Sequence, residues 1–576
     1  MKLFRKIQKW FENQENLYYL FLIILIVPNI VLCFTEPMPL VAKVCNVLLP
    51  FSIYHMIMSW SGNCGKTFWI LFPFLFFGAF QIVLLYLFGQ SVIAVDMFLN
   101  LVTTNPGEAL ELLDNLIPAI IIVVLLYIPA LVLAAVAVSK KRRLSETLVR
   151  RERKRARITV IAGILSLVAA YLFDARYELK SDLYPANVCY NIALAFQRTA
   201  QTQHYAETSK DFTFQAKTTR PEKNREVYVM VIGETSRAAN WSIYGYNRNT
   251  NPELTKIKGL TAFSHVLTES NTTHKSVPML MSSVTAHDFN SIYRQKGIIT
   301  AFKEAGYRTA FFSNQRYNHS FIDFFGKEAD ICDFIKEDTG DGSYNPSDDE
   351  LLKLVAAELA ENASKQFIVL HTYGSHFNYR ERYPADNAFF LPDFPVDAEL
   401  KYKDNLINAY DNSIRYTDNF LARLIRMLQE QDIDVAMLYT SDHGEDIFDD
   451  DRHLFLHASP VPSYYQIHVP FLVWMSDNYR KNYPDLLKNA EINRQKNISS
   501  SASFFQTMLE LGGIDTPSRN DSLSVINASY TEKNRVYLND HNEARSLDDI
   551  GMREEDFTMH QPFVILLRVN ILLNRL

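Results

Sequence analysis

A glutamate and an aspartate–histidine pair each follow an apolar segment typical of a buried strand. Glu234 follows residues 227–232 after one glycine, and Asp442 and His443 follow residues 435–439. The carboxyl ends of parallel strands meet at one edge of a sheet, so we expect these side chains to converge. Carboxylate oxygens and imidazole nitrogens bind zinc at about 2.0–2.2 Å. The pattern predicts a zinc site, although an Asp-His-Gly turn or a strand-end glutamate near a helix N-terminus also occurs without metal.

Four further histidines follow strand-like segments in the same half of the chain. His371 and His376 come after residues 367–370, and His457 and His468 come soon after the Asp-His pair. Several strand ends that meet at one edge would bring these side chains near the predicted metal.

A run of hydroxyl side chains supplies candidate nucleophiles. Three protein ligands leave one zinc position open, as in catalytic sites. A hydroxyl at that position loses its proton more easily and attacks phosphorus at neutral pH. Composition does not choose among the hydroxyls of residues 270–278, and helix capping is the commoner role of such residues. The candidates are Ser270, Thr272, Thr273 and Ser276.

The first third of the chain is apolar in five runs. A transmembrane helix needs about 20 apolar residues, and the first, third and fourth runs reach this length. Pro50 and His55 interrupt the second run, and the fifth is short. Five such runs leave no polar face to meet water, so we predict an all-α five-helix transmembrane domain over residues 1–174. The runs lie at about 17–36, 39–60, 67–88, 116–138 and 158–174.

Flanking charges predict the orientation of these spans. Four basic residues precede the first run, and a basic loop at residues 140–157 separates the fourth from the fifth. The connection between the third and fourth runs is acidic and contains no lysine or arginine. Because cytoplasmic loops carry excess lysine and arginine, we expect the N-terminus and the basic loop in the cytoplasm. An odd number of spans then places everything after residue 174 on the other side.

The remainder of the chain has the pattern of an α/β domain. Residues 175–225 predict a bridging segment on the membrane surface, and residues 226–560 a catalytic domain. A mostly parallel sheet covered by helices on both faces fits buried strands that alternate with helices. The apolar tail at 561–576 is too short to span. Strands are predicted at 227–232, 309–312, 367–370, 435–439 and 471–474, and helices at 296–305, 349–362 and 402–429.

Composition excludes some classes of function. The net charge is -6 and no basic groove is evident, so nucleic acid is not an expected partner. None of the five cysteines forms a CxxC or Cys/His zinc pattern, so cysteine is not the expected metal ligand. Three cysteines fall in the hydrophobic region at the start of the chain, which leaves Cys189 and Cys332 as one potential pair in the remainder.

Taken in order, these segments resemble the lipid A phosphoethanolamine transferases, membrane-anchored members of the alkaline phosphatase and sulfatase superfamily. The resemblance covers nearly the whole chain. Its most specific pieces are Gly-Glu-Thr-Ser-Arg-Ala-Ala-Asn (233–240), Gly-Tyr-Asn-Arg-Asn-Thr-Asn-Pro (245–252), Thr-His-Lys-Ser-Val-Pro (273–278), Ser-Asp-His-Gly-Glu (441–445) and His-Val-Pro (468–470).

The resemblance implies roles for particular residues. It selects Thr273 as the nucleophile and makes Glu234, Thr273, Asp442 and His443 the zinc ligands. His376 and His457 match histidines that hold the donor phosphate or a second zinc ion, while His371 and His468 match positions of less defined substrate-binding role. Asn100 and Glu108 match a segment proposed to contact the lipid donor.

The implied reaction is a ping-pong transfer in the membrane. Thr273 takes phosphoethanolamine from phosphatidylethanolamine, diacylglycerol leaves, and the group passes to lipid A or another lipopolysaccharide acceptor. The resemblance implies a monomer in the inner membrane of a Gram-negative bacterium, with the catalytic domain in the periplasm. Ethanolamine caps would weaken the binding of cationic antimicrobial peptides.

Two departures from the family pattern concern the nucleophile segment. Cysteines that often flank this segment are replaced by Ser270 and Met279, and Thr-His-Lys stands where small residues are common. These changes leave the acceptor open. The alternatives are a glycerol-phosphate transferase of the same fold and a non-catalytic membrane sensor that binds lipid headgroups; a sulfatase lacks support because its Cys/Ser-x-Pro-x-Arg motif is absent.

Overall fold

The computed structural model describes residues 9–36, 38–88, 92–95, 106–174, 177–221, 225–336 and 345–559, with backbone only at 87–88, 106–115 and 558–559. Asn100 and the predicted tail at 561–576 lie outside these residues. The chain divides into two compact units, Met1–Arg198 and Thr199–Leu576. The boundary falls within the predicted bridging segment.

The first unit consists of apolar helices. Four described helices are long and apolar enough to cross a membrane, and a fifth span results if a pair bent by 61° is counted as one. Pro50 lies inside a continuous helix and does not interrupt it. The helices are Gln14–Thr35, Leu40–Trp60, Cys64–Ile70 with Phe72–Phe88, Pro106–Ser139 and Glu146–Phe173, followed by Leu179–Asp182 and Ala186–Gln203.

The expected basic loop before the fifth span is wrong in one respect. Most of its basic residues lie in the first turns of the 28-residue helix Glu146–Phe173, where Ser145 caps the N-terminus by accepting from Leu148 N–H. Glu152 in these turns is buried and accepts from Tyr19 Oη at 2.8 Å and Arg155 Nη1 at 2.9 Å. These side chains satisfy the buried Glu152 carboxylate within the basic stretch.

Seven strands form the main sheet of the second unit. In chain order they are β1 Glu226–Gly233, β2 Leu260–Ala262, β3 Arg308–Ser313, β4 Ile331–Phe334, β5 Lys365–His371, β6 Asp434–Ser441 and β7 Phe471–Met475. Their spatial order is β2-β7-β6-β1-β5-β3-β4. The five strands from β6 to β4 run parallel, and β7 pairs antiparallel with both β6 and β2. The predicted mostly parallel sheet is confirmed.

Helices cover both faces of this sheet because alternate strand residues point to opposite sides. Tyr228 and Met230 of β1 pack into one apolar core, and Val227 and Val229 pack into the other. The first core includes helices Ile298–Glu304, Phe321–Gly326 and Ser500–Leu511, and the second includes Asp349–Ala360 and Lys403–Gln429. Strands buried on both faces read as continuous apolar runs, which is why the sequence predicts them.

Shorter elements complete the described part of the unit. Four strand pairs lie outside the main sheet: Lys217–Thr218 with Ile514–Asp515, His265–Leu267 with Asn497–Ser499, Asp446–Ile447 with Phe455–Leu456, and Val536–Leu538 with Ala544–Ser546. The remaining α-helices are Tyr205–Thr208, Thr273–Leu280, Tyr464–Ile467, Asp477–Asn482, Pro484–Asn493 and Glu554–Met559. All five cysteines, Cys189 and Cys332 among them, carry free thiols.

Candidate metal centre and nucleophile

The register of two neighbouring strands brings the three predicted protein ligands together. Gly233 at the end of β1 pairs with Ser441 at the end of β6. The next residue on each strand is therefore Glu234 on one and Asp442 on the other. With His443 they offer ligand atoms that all lie within 4.8 Å of one another, and all three residues are buried. Among the described residues this is the one group of at least three such side chains.

Backbone contacts aim His443 and Asp442 at a common point. His443 Nδ1 lies 2.9 Å from the Gly444 carbonyl, so Nδ1 carries the proton and Nε2 presents its lone pair. Asp442 Oδ1 accepts from the N–H groups of Thr235 at 3.0 Å and His443 at 2.7 Å. Asp442 Oδ2 lies 3.2 Å from His443 Nε2 and is buried without a hydrogen bond to any described residue. An orphaned buried carboxylate oxygen beside an imidazole lone pair fits a zinc ion.

Glu234 is held by a strained turn. Its Oε1 accepts from Thr235 Oγ1 at 2.7 Å and its Oε2 from Gln315 Nε2 at 3.1 Å. Thr235 has φ +57°, which costs a non-glycine residue energy and persists where surrounding contacts impose it. Tyr410 imposes it here: its hydroxyl donates to the Thr235 carbonyl at 2.7 Å and accepts from Arg237 N–H at 2.9 Å.

Thr273 completes the centre. It is the first residue of the helix Thr273–Leu280, and its Oγ1 lies 3.3 Å from Glu234 Oε1 and 3.1 Å from His443 Nε2. A helix N-terminus also favours negative charge on this oxygen. Among the four candidate hydroxyls, the structure brings Thr273 against the ligand atoms.

The other candidate hydroxyls have local partners. Ser270 and Thr272 lie 3.1 Å from each other through their hydroxyl oxygens. Ser276 Oγ donates to the Asp442 carbonyl at 2.6 Å. Ser276 thus fixes the backbone that carries a ligand and is not itself directed at the centre.

The electrostatics of the centre favour a cation. Burial and the adjacent Asp442 carboxylate raise the pKa of Glu234 well above its ordinary value. Burial raises the pKa of Asp442 to about 6. Burial and the neighbouring His457 lower the pKa of His443. Two carboxylates and a neutral imidazole thus share a buried site, and a divalent cation would compensate their charge.

His376 and His457 lie next to this centre. The rings of His443 and His457 are 4.2 Å apart between centroids, and those of His457 and His376 are 6.2 Å apart. His376 Nδ1 lies 2.6 Å from the Phe377 carbonyl, which leaves Nε2 available. His457 Nδ1 lies 3.5 Å from Glu445 Oε2. The structure therefore extends the ligand cluster into a line of imidazoles.

The remaining predicted residues have different surroundings. His371, at the end of β5, is buried, and its Nδ1 lies 3.4 Å from Ser313 Oγ. Both ring nitrogens of His468 have partners within the fold, since Nδ1 accepts from Tyr464 Oη at 2.6 Å and Nε2 donates to the Ser264 carbonyl at 2.8 Å. Glu108 falls in the helix Pro106–Ser139, but its side chain is outside the described atoms.

Sequence reasoning missed Gln315, Thr235, Tyr410 and Glu445 as supports of the centre. Gln315 contacts Glu234 from 81 positions away, and Tyr410 contacts Thr235 from 175 positions away. No local sequence pattern predicts contacts at such separations. Glu445 stands in the Ser-Asp-His-Gly-Glu motif, and its buried carboxylate faces His457. The motif itself was the available signal for Glu445.

Comparison with known proteins connects this geometry to a family. Residues 226–514, just over half of the chain, match the sulfatase family, and residues 63–200 match a family described as phosphoethanolamine transferase EptA/EptB. The chain is 32% identical over 304 residues to the Kdo(2)-lipid A phosphoethanolamine 7''-transferase of Escherichia coli, covering 50% of this chain and 51% of that protein. It thus spans about half the length of the curated relatives it matches.

Two solved structures share the fold. The integral membrane lipooligosaccharide phosphoethanolamine transferase A (EptA) of Neisseria meningitidis aligns over 89% of this chain and 98% of its own, with TM-score 0.71 and 20% identity. The periplasmic domain of EptC from Escherichia coli, solved in complex with zinc, aligns over 60% of this chain and 98% of its own, with TM-score 0.55 and 24% identity. The chain belongs to the sulfatase family.

Proposed function

We propose that this protein transfers phosphoethanolamine from phosphatidylethanolamine to lipid A or another lipopolysaccharide acceptor through a covalent Thr273 intermediate. The observation that carries the proposal is the position of Thr273 Oγ1, within 3.3 Å of two metal-ligand side chains at a helix N-terminus. A protein that only binds headgroups needs no hydroxyl at that point. The identity of the transferred group is inferred from the relatives named above.

The residues present fit zinc. Glu234, Asp442, His443 and Thr273 would hold the ion through three oxygens and one nitrogen, the donor types that zinc accepts. When bound, zinc lowers the pKa of a coordinated hydroxyl and offsets charge that develops on phosphoryl oxygens. The zinc complex of the related EptC domain supports this choice of metal.

The chain's own residues have the following roles in the reaction. Glu234 and His443 position Thr273 Oγ1, which attacks phosphorus while the bond from phosphorus to the diacylglycerol oxygen breaks. The threonine proton ends on diacylglycerol, and phosphoethanolamine remains esterified to Thr273. An acceptor phosphate or hydroxyl then attacks the same phosphorus and restores the threonine.

His376 and His457 suit the phosphoryl oxygens or a second metal ion. Burial and the neighbouring His457 lower the pKa of His376 to about 3, so this imidazole is neutral and keeps Nε2 for an incoming ligand. Both rings follow on from His443 in the line of imidazoles. We place the donor phosphate between this line and Thr273.

The membrane supplies both lipids. The apolar helices of the first unit would hold the chain in the inner membrane of a Gram-negative bacterium, with Thr199–Leu576 in the periplasm where lipid A passes. Donor and acceptor then diffuse in the same leaflet. Each ethanolamine added to a phosphate brings a positive amine, which weakens attraction for cationic antimicrobial peptides.

The test is the mass of lipid A from cells that express the full-length protein. We expect a gain equal to phosphoethanolamine with wild type, no gain with Thr273→Ala, and a retained gain with Thr272→Ala, whose hydroxyl contacts only Ser270 among the described residues. Unchanged lipid A with glycerol phosphate on another glycan would favour the glycerol-phosphate transferase. No modification by wild type of any lipid or glycan would favour the sensor.

A further inference from the structure

A cavity whose lining includes Glu269 lies near the nucleophile segment. It encloses about 830 Å³, within the range of small-ligand sites of about 300–1,000 Å³. Apolar groups such as Tyr530 and Phe557 form part of its wall, and the hydroxyls of Thr285, Ser499 and Ser503 form another part. None of the proposed zinc or phosphate-binding residues lines it.

Arg535 lines this cavity, and the Glu532 carboxylate is a neighbouring opposite charge. Its guanidinium forms no hydrogen bond and no ion pair with any residue that the structure describes, and its Nη1 is buried without a partner. The neighbouring Glu532 carboxylate accepts from Asn497 N–H at 2.6 Å and is exposed to solvent. Burial lowers the pKa of Arg535, while the neighbouring Glu532 carboxylate acts in the opposite direction. Buried donors are normally satisfied, so an orphaned guanidinium at a cavity calls for a ligand.

The cavity wall adds a helix N-terminus. Ser499 is the N-cap of the 12-residue helix Ser500–Leu511 and gives it no side-chain cap. Ser499, Ala502 and Ser503 face the cavity. First-turn N–H groups and the helix dipole attract oxyanions, and the planar fork of arginine matches phosphate and carboxylate oxygens.

Other charged groups set the character of the site. His287 and Lys533 also line the cavity, as do the acidic residues Glu269 and Asp548. Glu269 accepts from Ala286 N–H at 3.0 Å, and burial raises its pKa to about 7, so its charge is partly removed near neutral pH. Asp548 is exposed. Among the charged groups of the described lining, Arg535 has a buried donor that lacks a partner, so it is the candidate ligand for an anion.

We propose that this cavity is a second oxyanion site, which binds a phosphate group through Arg535 and the N-terminus of the helix Ser500–Leu511. The size and partly apolar wall suit a phosphate ester that carries an organic body. The site is separate from Thr273 and does not depend on the proposed transfer reaction.

The wall of the cavity is bonded to the nucleophile segment. Strand Val536–Leu538 follows Arg535 directly, and Leu538 N–H donates to the Glu269 carbonyl at 2.7 Å. Tyr537 Oη donates to Asn271 Oδ1 at 2.6 Å. A ligand at Arg535 would thus lie next to a strand that is hydrogen-bonded to Asn271, two residues before Thr273.

The test is equilibrium dialysis of radiolabelled inorganic phosphate against the full-length protein in detergent, with EDTA present to remove any metal-dependent binding. Charge-assisted hydrogen bonds are the strong ones, so we expect Arg535→Gln to weaken phosphate binding by about tenfold or more. Arg545→Gln is the matched control, because Arg545 is an exposed arginine of the adjoining strand that pairs with Glu543. It should bind phosphate as wild type does.

Two outcomes would overturn the proposal: no EDTA-resistant binding to wild type, or equal binding to Arg535→Gln. If Arg535→Gln does not fold by near-ultraviolet circular dichroism, Ala502→Trp provides the second variant. It fills the cavity while keeping the arginine, and it should abolish binding; retained binding would place phosphate elsewhere. Competition by phosphoethanolamine or glucose 6-phosphate that is stronger than by phosphate supports an ester occupant, and equal competition supports the free ion.

Discussion

Replacement of Asp442 by asparagine should have opposite effects on stability with and without zinc. Asp442 Oδ1 accepts two backbone N–H groups, a role that an amide oxygen can keep. Oδ2 is buried, unpartnered and 3.2 Å from His443 Nε2. In Asp442→Asn the amide nitrogen takes the position of Oδ2 and donates to His443 Nε2. The unpartnered carboxylate oxygen is thereby replaced by an N–H group that has an acceptor.

The magnitude follows from this change of partners. An unsatisfied buried polar group costs about 1–3 kcal/mol, and more when charged. The substitution also removes the repulsion between Asp442 and Glu234. We therefore expect metal-free Asp442→Asn to exceed metal-free wild type in stability by about 1–3 kcal/mol.

Zinc should reverse the order. A ligand at a thousand times its Kd stabilises the folded state by about 4 kcal/mol. Wild type gains this amount, whereas the variant has lost an anionic ligand and binds zinc far more weakly. At zinc concentrations that saturate wild type, wild type should become the more stable protein.

The assay is thermal unfolding of the full-length protein in detergent, followed by near-ultraviolet circular dichroism in EDTA and in zinc. Asp446→Asn is the matched control, because Asp446 is equally buried but accepts from Ser463 Oγ and Gln466 Nε2. The amide nitrogen of asparagine would face one of these two donors instead of accepting from it. This variant should therefore lose stability both in EDTA and in zinc. Lower stability of Asp442→Asn in EDTA, or zinc affinity equal to wild type, would refute the assignment of Asp442 as a ligand.

Three further predictions concern the same centre. Thr273→Ser should keep measurable transfer, because the hydroxyl stays at the helix N-terminus, whereas loss equal to that of Thr273→Ala in the lipid A mass assay would argue against nucleophilic attack. Gly374→Ala should reduce both stability and transfer, since Gly374 has φ +52° and a Cβ would lie 2.6 Å from the Glu234 carbonyl; a Tm and activity equal to wild type would contradict this. Metal-free protein should lose stability as pH rises from about 4 through about 6, because burial raises the folded pKa of Asp442 above its ordinary 3.8 and the folded state then binds more protons than the unfolded chain. Denaturant unfolding in EDTA at several pH values checks the sign, and stability that rises over this range would count against it.

The sheet could be predicted from the sequence where burial dominates. Strands β1, β3, β5, β6 and β7 are continuous apolar runs, because each is buried among the cores on the two faces. Strands β2 and β4 were not predicted. They have three and four residues, are only partly buried, and belong to the ends of the sheet, so they lack the apolar signal.

The metal-ligand residues of the site could be predicted from the sequence, but the residues that contact and position them could not. Glu234, Asp442 and His443 follow strand ends, and parallel pairing dictates that such residues meet. Both Thr273 and Ser276 carry hydroxyls on the same short helix, and their side chains contact different groups. Thr273 could therefore be selected as the nucleophile only from the family resemblance or from the structure. Tyr410 contacts the turn after Glu234 from a helix far along the chain, and such a contact has no local pattern.

The most direct measurement is the mass of the Thr273 peptide after the full-length protein has reacted with phosphatidylethanolamine without acceptor. The account predicts a peptide heavier by one phosphoethanolamine group, with the modification on Thr273, its release on addition of lipid A, and no adduct in Thr273→Ala. Modification of a different residue, or diacylglycerol release by Thr273→Ala at the wild-type rate, would contradict a covalent Thr273 intermediate.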